Sequence, residues 1–277
     1  MEKKPMRSYI KLIIPLLMLL IVFIVLFILR KGILFELKYD IEYDDELNGY
    51  VLTDIAIHDD PMLVLPSHTP DGKQIVGASG LFTEEHIFFN YETVSEIVIP
   101  NEYLTLSSSC TKKPVLFEEL TSLERVKIGS GLENGIYGGM FAANISLVVI
   151  EVEPDNAKYY SEGNCIIERQ TATLVVGCRS SVVPNGVKTI GQAAFVKTDI
   201  EELVIPSGVE KICASAFYDC AKLEKLNIPE SVATIESKAI YSCPRITIYC
   251  DLLAPQNGWA EDFCEVETRI IWLDTIN

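Results

Sequence analysis

Histidine, tryptophan and catalytic signatures are what this chain has least of. Its 277 residues include three histidines and two tryptophans. No G-x-S-x-G, H-E-x-x-H or phosphate-cradling glycine loop occurs, and none of the eight cysteines is spaced C-x-x-C. Nucleophile-elbow hydrolases, zinc peptidases, P-loop enzymes and zinc-finger modules are therefore not indicated. His58 precedes Asp59-Asp60 and His86 follows Glu84-Glu85, while His68 has no acidic neighbour. Neighbours in sequence do not make a site geometry, and Ser107-Ser108-Ser109-Cys110 lacks the strand-turn-helix setting of a nucleophile. No catalytic residue, metal ligand or cofactor is assigned, and the chain is read as not an enzyme.

Positive charge is also scarce. The formal net charge is −16, yet residues 1–31 hold six Lys/Arg and one acid. The remainder therefore carries 17 basic and 38 acidic residues, a net of −21. Such a body is repelled by phosphate backbones and anionic lipid surfaces, which excludes nucleic acid as the expected partner.

What the chain does have begins with one long apolar run. Leu12 to Leu29, LIIPLLMLLIVFIVLFIL, contains no charge and no Ala, Gly or Ser. As a helix it reaches about 27 Å, enough for a hydrocarbon core when Lys11, Arg30 and Lys31 snorkel to the interfaces. A signal peptide would be shorter and end in small residues, so an uncleaved anchor is expected. Basic residues are denser before the run than after it, which predicts a single pass with residues 1–11 cytoplasmic and the body extracellular. Residues 30–34 then form a juxtamembrane linker.

Phe35, Leu37, Tyr39, Ile41 and Tyr43 alternate with Glu36, Lys38, Asp40 and Glu42. That period of two, with Asn48-Gly49 as turn, predicts a hairpin over 35–61 capping the first edge of the larger body. Asp44-x-Glu46-x-Asn48-Gly49 is not a calcium loop, because the twelfth position is Ile55 instead of Glu.

The main signal is a period of 23. Leu203, Ile205, Pro206, Val209, Ile212, Ala216, Tyr218 and Cys220 recur as Leu226, Ile228, Pro229, Val232, Ile235, Ala239, Tyr241 and Cys243, and Phe217 as Ile240. Shorter echoes start at Leu63, Val94, Leu123, Leu147 and Pro184. A fixed period of this size means stacked units, none able to bury its apolar face alone. Each unit predicts a short strand, a tight arc and one helical turn holding Ala-Phe, with Leu203 and Ile205 inward and Phe217 plugging the convex side. Cys220 and Cys243 share their phase with Thr198, which fits a small buried side chain. Cys250 and Cys264 are the better candidates for a covalent link.

The run Ile-Pro-x-x-Val-x-x-Ile-x-x-x-Ala-Phe-x-x-Cys-x-x-Leu, from Ile205 to Leu223, strongly resembles the BspA-like leucine-rich repeats of bacterial surface proteins. Asn156 to Val176 resembles the hairpin inserted in such arrays, and Ile246 to Trp272 their closing segment. The resemblance implies an α/β-type solenoid, a leucine-rich repeat array of short parallel strands with convex helical turns over 62–245 and a C-terminal cap over 246–277. It also implies adhesion or protein–protein interaction at the cell surface. The partner is then a protein, and membrane contact runs through residues 12–29. Outward strand positions are the candidate binding face: Glu96, Val98, Arg125, Lys127, Val149, Glu151, Glu202, Val204, Lys225 and Asn227. A tethered extracellular hydrolase and a passive structural envelope protein stay open as alternatives.

Overall fold

The computed structural model describes residues 39–55, 60–79, 93–107 and 117–273. The expected tail, membrane helix 12–29 and linker lie outside the described residues, as do His58, His86 and Cys110. Among the described residues no helix is long and apolar enough to cross a membrane.

The chain enters through an antiparallel hairpin, β1 (Tyr39–Asp44) and β2 (Gly49–Ile55), turned at Asn48 with φ 50°. It then winds through β3 (Met62–Val64), β4 (Ile75–Ala78), β5 (Glu96–Ile99), β6 (Arg125–Ile128) and β7 (Val149–Val152). A meander comes next: β8 (Tyr159–Glu162), β9 (Cys165–Glu168) and β10 (Thr173–Val176). Winding resumes with β11 (Thr189–Ile190), β12 (Glu202–Val204), β13 (Lys211–Ile212), β14 (Lys225–Ile228) and β15 (Thr234–Ile235). It ends with β16 (Thr247–Cys250), β17 (Gly258–Trp259) and β18 (Arg269–Trp272).

One strand per turn joins a parallel sheet, β3-β5-β6-β7 in the first half and β12-β14-β16-β18 in the second. The register repeats the sequence period: Leu203 lies beside Leu226, Leu226 beside Ile248, and Ile248 beside Ile270. Within each strand alternate residues point inward, so Leu226 and Ile228 are buried while Lys225 and Asn227 reach solvent. Residues 246–273, expected as a closing cap, thus supply two further strands of the same sheet. A second, shorter ladder runs on another face. It is formed by β17-β15-β13-β11-β10 in parallel, extended antiparallel by β9 and β8. In the first half it is reduced to β4 and single bridges, Gly77 to Thr105 to Asn134, and β2 pairs with β4 at its outer edge.

The convex arcs are not helical turns. Among the described residues no α-helix occurs, and each regular arc is a run of β-turns. Ala194, Ala216 and Ala239 donate their N–H groups three residues back, to Gly191, Cys213 and Glu236. The residue just before each Ala has positive φ: Ala193 (54°), Ser215 (57°) and Lys238 (54°), as the third position of a type II turn demands. Four residues on, Lys197, Asp219 and Ser242 do the same. The next N–H in each arc goes sideways instead: Phe195 donates to Ala216 O at 2.8 Å, and Phe217 to Ala239 O at 2.7 Å. A helix would have spent every N–H along its own axis and left neighbouring arcs unconnected. The left-handed positions cost roughly 1–2 kcal/mol per residue, and the lateral bonds offset them.

That lateral bonding forces like to stack on like. Phe195 lies on Phe217 with ring centroids 5.2 Å apart and planes 10° apart, and Phe117 on Phe141 at 5.4 Å. Three residues past the aromatic position, Thr198, Cys220 and Cys243 form a column of side-chain donors. Thr198 Oγ1 and Cys220 Sγ both bond Phe195 O, and Cys243 Sγ bonds Phe217 O at 2.9 Å. The residue there must be small and able to donate to a buried carbonyl. Cys250 and Cys264 are both free thiols.

The meander is held by Asn156, which is 2% exposed. Its Nδ2 donates to Gly129 O (3.0 Å) and Leu132 O (2.9 Å), and its Oδ1 accepts from the Lys158 and Tyr159 N–H groups. All four hydrogen-bonding positions of the amide are thus used.

Two outcomes are expected in urea unfolding. Phe217→Ala should lower stability by about 3–5 kcal/mol, because the ring is fully buried between two coils. Asn156→Ala should cost at least about 2 kcal/mol, since it strands two carbonyls and two N–H groups. A change below about 0.5 kcal/mol in either variant would contradict this packing.

Candidate interaction surface

The outward strand positions form two rows on each half of the stack. In the first half one row is Met62, Glu96, Arg125 and Val149, and the other Val64, Val98, Lys127 and Glu151. In the second half the rows are Glu202, Lys225, Thr247 and Arg269, then Val204, Asn227, Tyr249 and Ile271. All the residues expected at this face therefore sit on strands with their side chains partly or fully in solvent. Glu96, Val98, Arg125, Lys127, Val149 and Glu151 lie on β5 to β7, and Glu202, Val204, Lys225 and Asn227 on β12 and β14. Val204 is 69% exposed.

Charges on these rows are matched across coils. Lys127 pairs with Glu96 at 3.5 Å, Arg125 with Glu151 at 3.1 Å, and Lys225 with Glu202 at 2.5 Å. Asn227 donates to Asp251 at 3.3 Å. The same one-coil reach occurs beside the strands, Lys222 to Asp199, and on the second ladder, Lys188 to Glu210 and Lys211 to Glu236. The Glu202 carboxylate raises the Lys225 pKa. Lys211 lowers that of Glu236, which also accepts the Ala214 N–H at 2.8 Å. The strand rows are therefore nearly neutral on a strongly acidic chain.

Sequence reasoning missed Thr247, Tyr249, Arg269 and Ile271. Tyr249 is the one aromatic residue among these outward strand positions, set between Asn227 and Ile271. The signal was present, because Ile248 and Ile270 continue the Leu226 position at intervals of 22 residues. His68 is exposed, and its Nδ1 lies 3.1 Å from the Ser67 hydroxyl. Among the described residues no group of three or more His, Cys, Asp or Glu could hold a metal ion. Burial pushes the Cys250 thiol up to about 12 and the Cys165 thiol likewise, so both are unreactive at neutral pH.

Residues 177–251 match the family model of the BspA type leucine rich repeat region, in six copies. No curated protein matches the chain. Among solved structures the chain is similar to a leucine-rich repeat protein from Eubacterium ventriosum, at 17% identity over 75% of this chain and 72% of that one, with a TM-score of 0.43. It is also similar to the leucine rich repeat protein TpLRR of T. pallidum, at 18% identity over 84% and 83%, with a TM-score of 0.41. A leucine rich cell surface protein from Faecalibacterium prausnitzii matches at 16% identity over 80% and 78%, with a TM-score of 0.25.

The inter-coil pairs make a pH prediction. Glu236 has its folded pKa depressed below the ordinary 4.5, so its contribution is present above that value and is lost as pH falls through the folded one. Glu236→Gln should therefore lower stability by about 0.5–1 kcal/mol at pH 7. The gap between variant and parent should narrow as pH falls below the ordinary carboxylate range and through the folded value, read from urea midpoints across an acid pH series.

Proposed function

We propose that this chain is a protein-binding repeat module whose strand face is the recognition surface. The carrying observation is the set of aligned outward rows, most of whose charges are already paired between neighbouring coils. A partner covering such a face does not have to strip water from isolated charges, which is the costly part of burying an ionic surface. The remaining acidic surface repels anionic partners and favours a protein with a basic rim. Tyr249, flanked by Ile271 and Asn227, has the composition of an interface anchor, and the half-exposed Met62 and Val64 offer apolar area at the other end. The match of residues 177–251 to BspA type repeats supports an interaction role.

The module is held at the cell membrane by residues 12–29, with the repeats outside and residues 1–11 inside. Binding there amounts to adhesion or to recognition of a neighbouring envelope protein.

A photo-reactive amino acid placed at Thr247, and separately at the exposed arc residue Ser237, tests the strand-face proposal. A reproducible protein adduct should form from Thr247 and be lost when Arg125, Lys127 and Lys225 are replaced together by Ala. Equal adducts from both positions, or none from Thr247, would sink it. Protease added to intact cells should remove the repeats and spare an N-terminal tag; protection of the repeats would reverse the orientation.

A further inference from the structure

The short ladder on the second face has a consistent hydrogen-bond rule. In each regular coil of the second half two carbonyls, two residues apart, receive N–H groups from the following coil. Ala172 O receives Lys188 and Thr189 N–H, and Leu174 O receives Gly191 N–H. Lys188 O receives Glu210 and Lys211 N–H, and Ile190 O receives Cys213 N–H. Glu210 O and Ile212 O are met in the same way by Ala233, Thr234 and Glu236. In the first half Leu104 O is met by Glu133 and Asn134 N–H.

Around Glu133–Ile136 the rule fails. The carbonyls of Glu133 and Gly135 hold the same positions as Ala172 O and Leu174 O, yet neither accepts a hydrogen bond within the chain among the described residues. The Gly135 N–H, between these two carbonyls, likewise donates to nothing among the described residues, and Ile136, in the position of Gly191, makes no bond back to Leu106 O of the preceding coil. The cause lies in the following coil. Where it would have supplied donors, it turns away into the meander: Lys158 and Tyr159 give their N–H groups to Asn156 Oδ1, and β10 takes β9 as neighbour on that side.

The segment 133–138 is also the shared wall of two depressions. One, of 470 Å³, is bounded by Glu133, Asn134, Lys158, Glu168, Arg169 and Gln170. The other, of 400 Å³, is bounded by Ile136, Tyr137, Thr173, Val175, Gln192 and Ala193 and is more apolar. Beyond it the coils close again, since a Cβ on Gly138 would collide with the Gln192 carbonyl. In the polar depression Lys158 is paired with Glu168 at 3.6 Å, and Arg169 Nε bonds Asn156 O at 3.1 Å. Glu133, exposed, has no ion-pair partner among the described residues.

We infer that this seam is a second binding site, taking an extended segment of a protein partner that adds to the main-chain edge at Glu133–Ile136. The segment's N–H groups meet Glu133 O and Gly135 O, as a following coil would, and one of its carbonyls accepts the Gly135 N–H between them. An aliphatic side chain of the segment enters the depression at Ile136, Tyr137 and Val175, and a neighbouring Lys or Arg meets Glu133. The site lies off the strand rows and stands independently of their proposed role.

Short linear peptides displayed on phage and selected against the full chain provide the probe, with the winners resynthesised and their affinity read by fluorescence anisotropy. Winners should pair an aliphatic residue with Lys or Arg. Val175→Arg and, separately, Gln192→Trp, each with an unchanged Tm, should weaken binding by about tenfold or more, and N-methylation of alternate peptide amides should do the same. Tyr249→Ala should leave it unchanged. Failure to select any peptide, or affinity indifferent to both seam variants and to N-methylation, would overturn the inference. Affinity lost only in Tyr249→Ala would also overturn it while favouring the strand rows.

Discussion

Main-chain hydrogen bonding from each coil to the next is the constraint on which the rest of this structure depends. It operates at the strands, as in any parallel sheet, and again at the convex arcs, where Phe195 and Phe217 donate sideways to the following coil. A chain bonded laterally at several points per turn cannot slide by one residue without moving every inward side chain out of the core. Register is therefore fixed, and each side chain meets its own counterpart one coil later. Phenylalanine stacks on phenylalanine, and the Thr198, Cys220, Cys243 column repeats one task with two chemistries, a hydroxyl or thiol donating to a carbonyl that the turn leaves inside.

The same constraint explains which parts of the fold could be read from residues alone. Leu203 beside Leu226 is visible as a period of 23, because a one-dimensional stack prints its register directly into the sequence. The conformation of the arcs is not visible that way. Ala-Ala-Phe and Ala-Ser-Ala-Phe have ordinary helical composition, and the local sequence holds nothing that forbids a helical turn. What excludes it is the neighbouring coil, whose carbonyls need alternate N–H groups, and which holds Ala193, Ser215 and Lys238 at positive φ although none is glycine. The earlier arcs were obscured for another reason. Phe117 and Phe141 stack as Phe195 and Phe217 do, but the coils leading to them vary in length, so no fixed spacing announces the pair.

Legibility of the candidate surface was similarly uneven. Alternation along each strand places Glu96, Arg125, Lys127, Lys225 and their neighbours outward without any knowledge of the fold. Pairing between them is a property of stacking: Arg125 reaches Glu151 and Lys225 reaches Glu202 only because one coil lies on the next. Residue counting shows a chain with far more acid than base, whereas the strand rows are close to neutral, because most bases there are matched to an acid one coil away. Tyr249 escaped notice because the coil carrying it lacks the Pro and Ala-Phe marks of its predecessors, even though Ile248 keeps the Leu226 position.

Interrupting a stack of this kind has a cost that the structure distributes unequally. Removing coil-to-coil bonds on one face could have opened the core, and it does not, because Asn156 ties the meander to Gly129 O and Leu132 O beside the gap with side-chain bonds of its own. Those bonds secure the wall behind the seam but leave its front edge unpaired at Glu133 and Gly135. A meander that merely lengthened the chain would gain nothing from that arrangement, since exposed main-chain edges invite unwanted pairing and are usually covered. The depressions along the edge have polar groups at one end and apolar ones at the other. The interruption thus supplies the array with a concave, directional feature that regular repetition cannot produce.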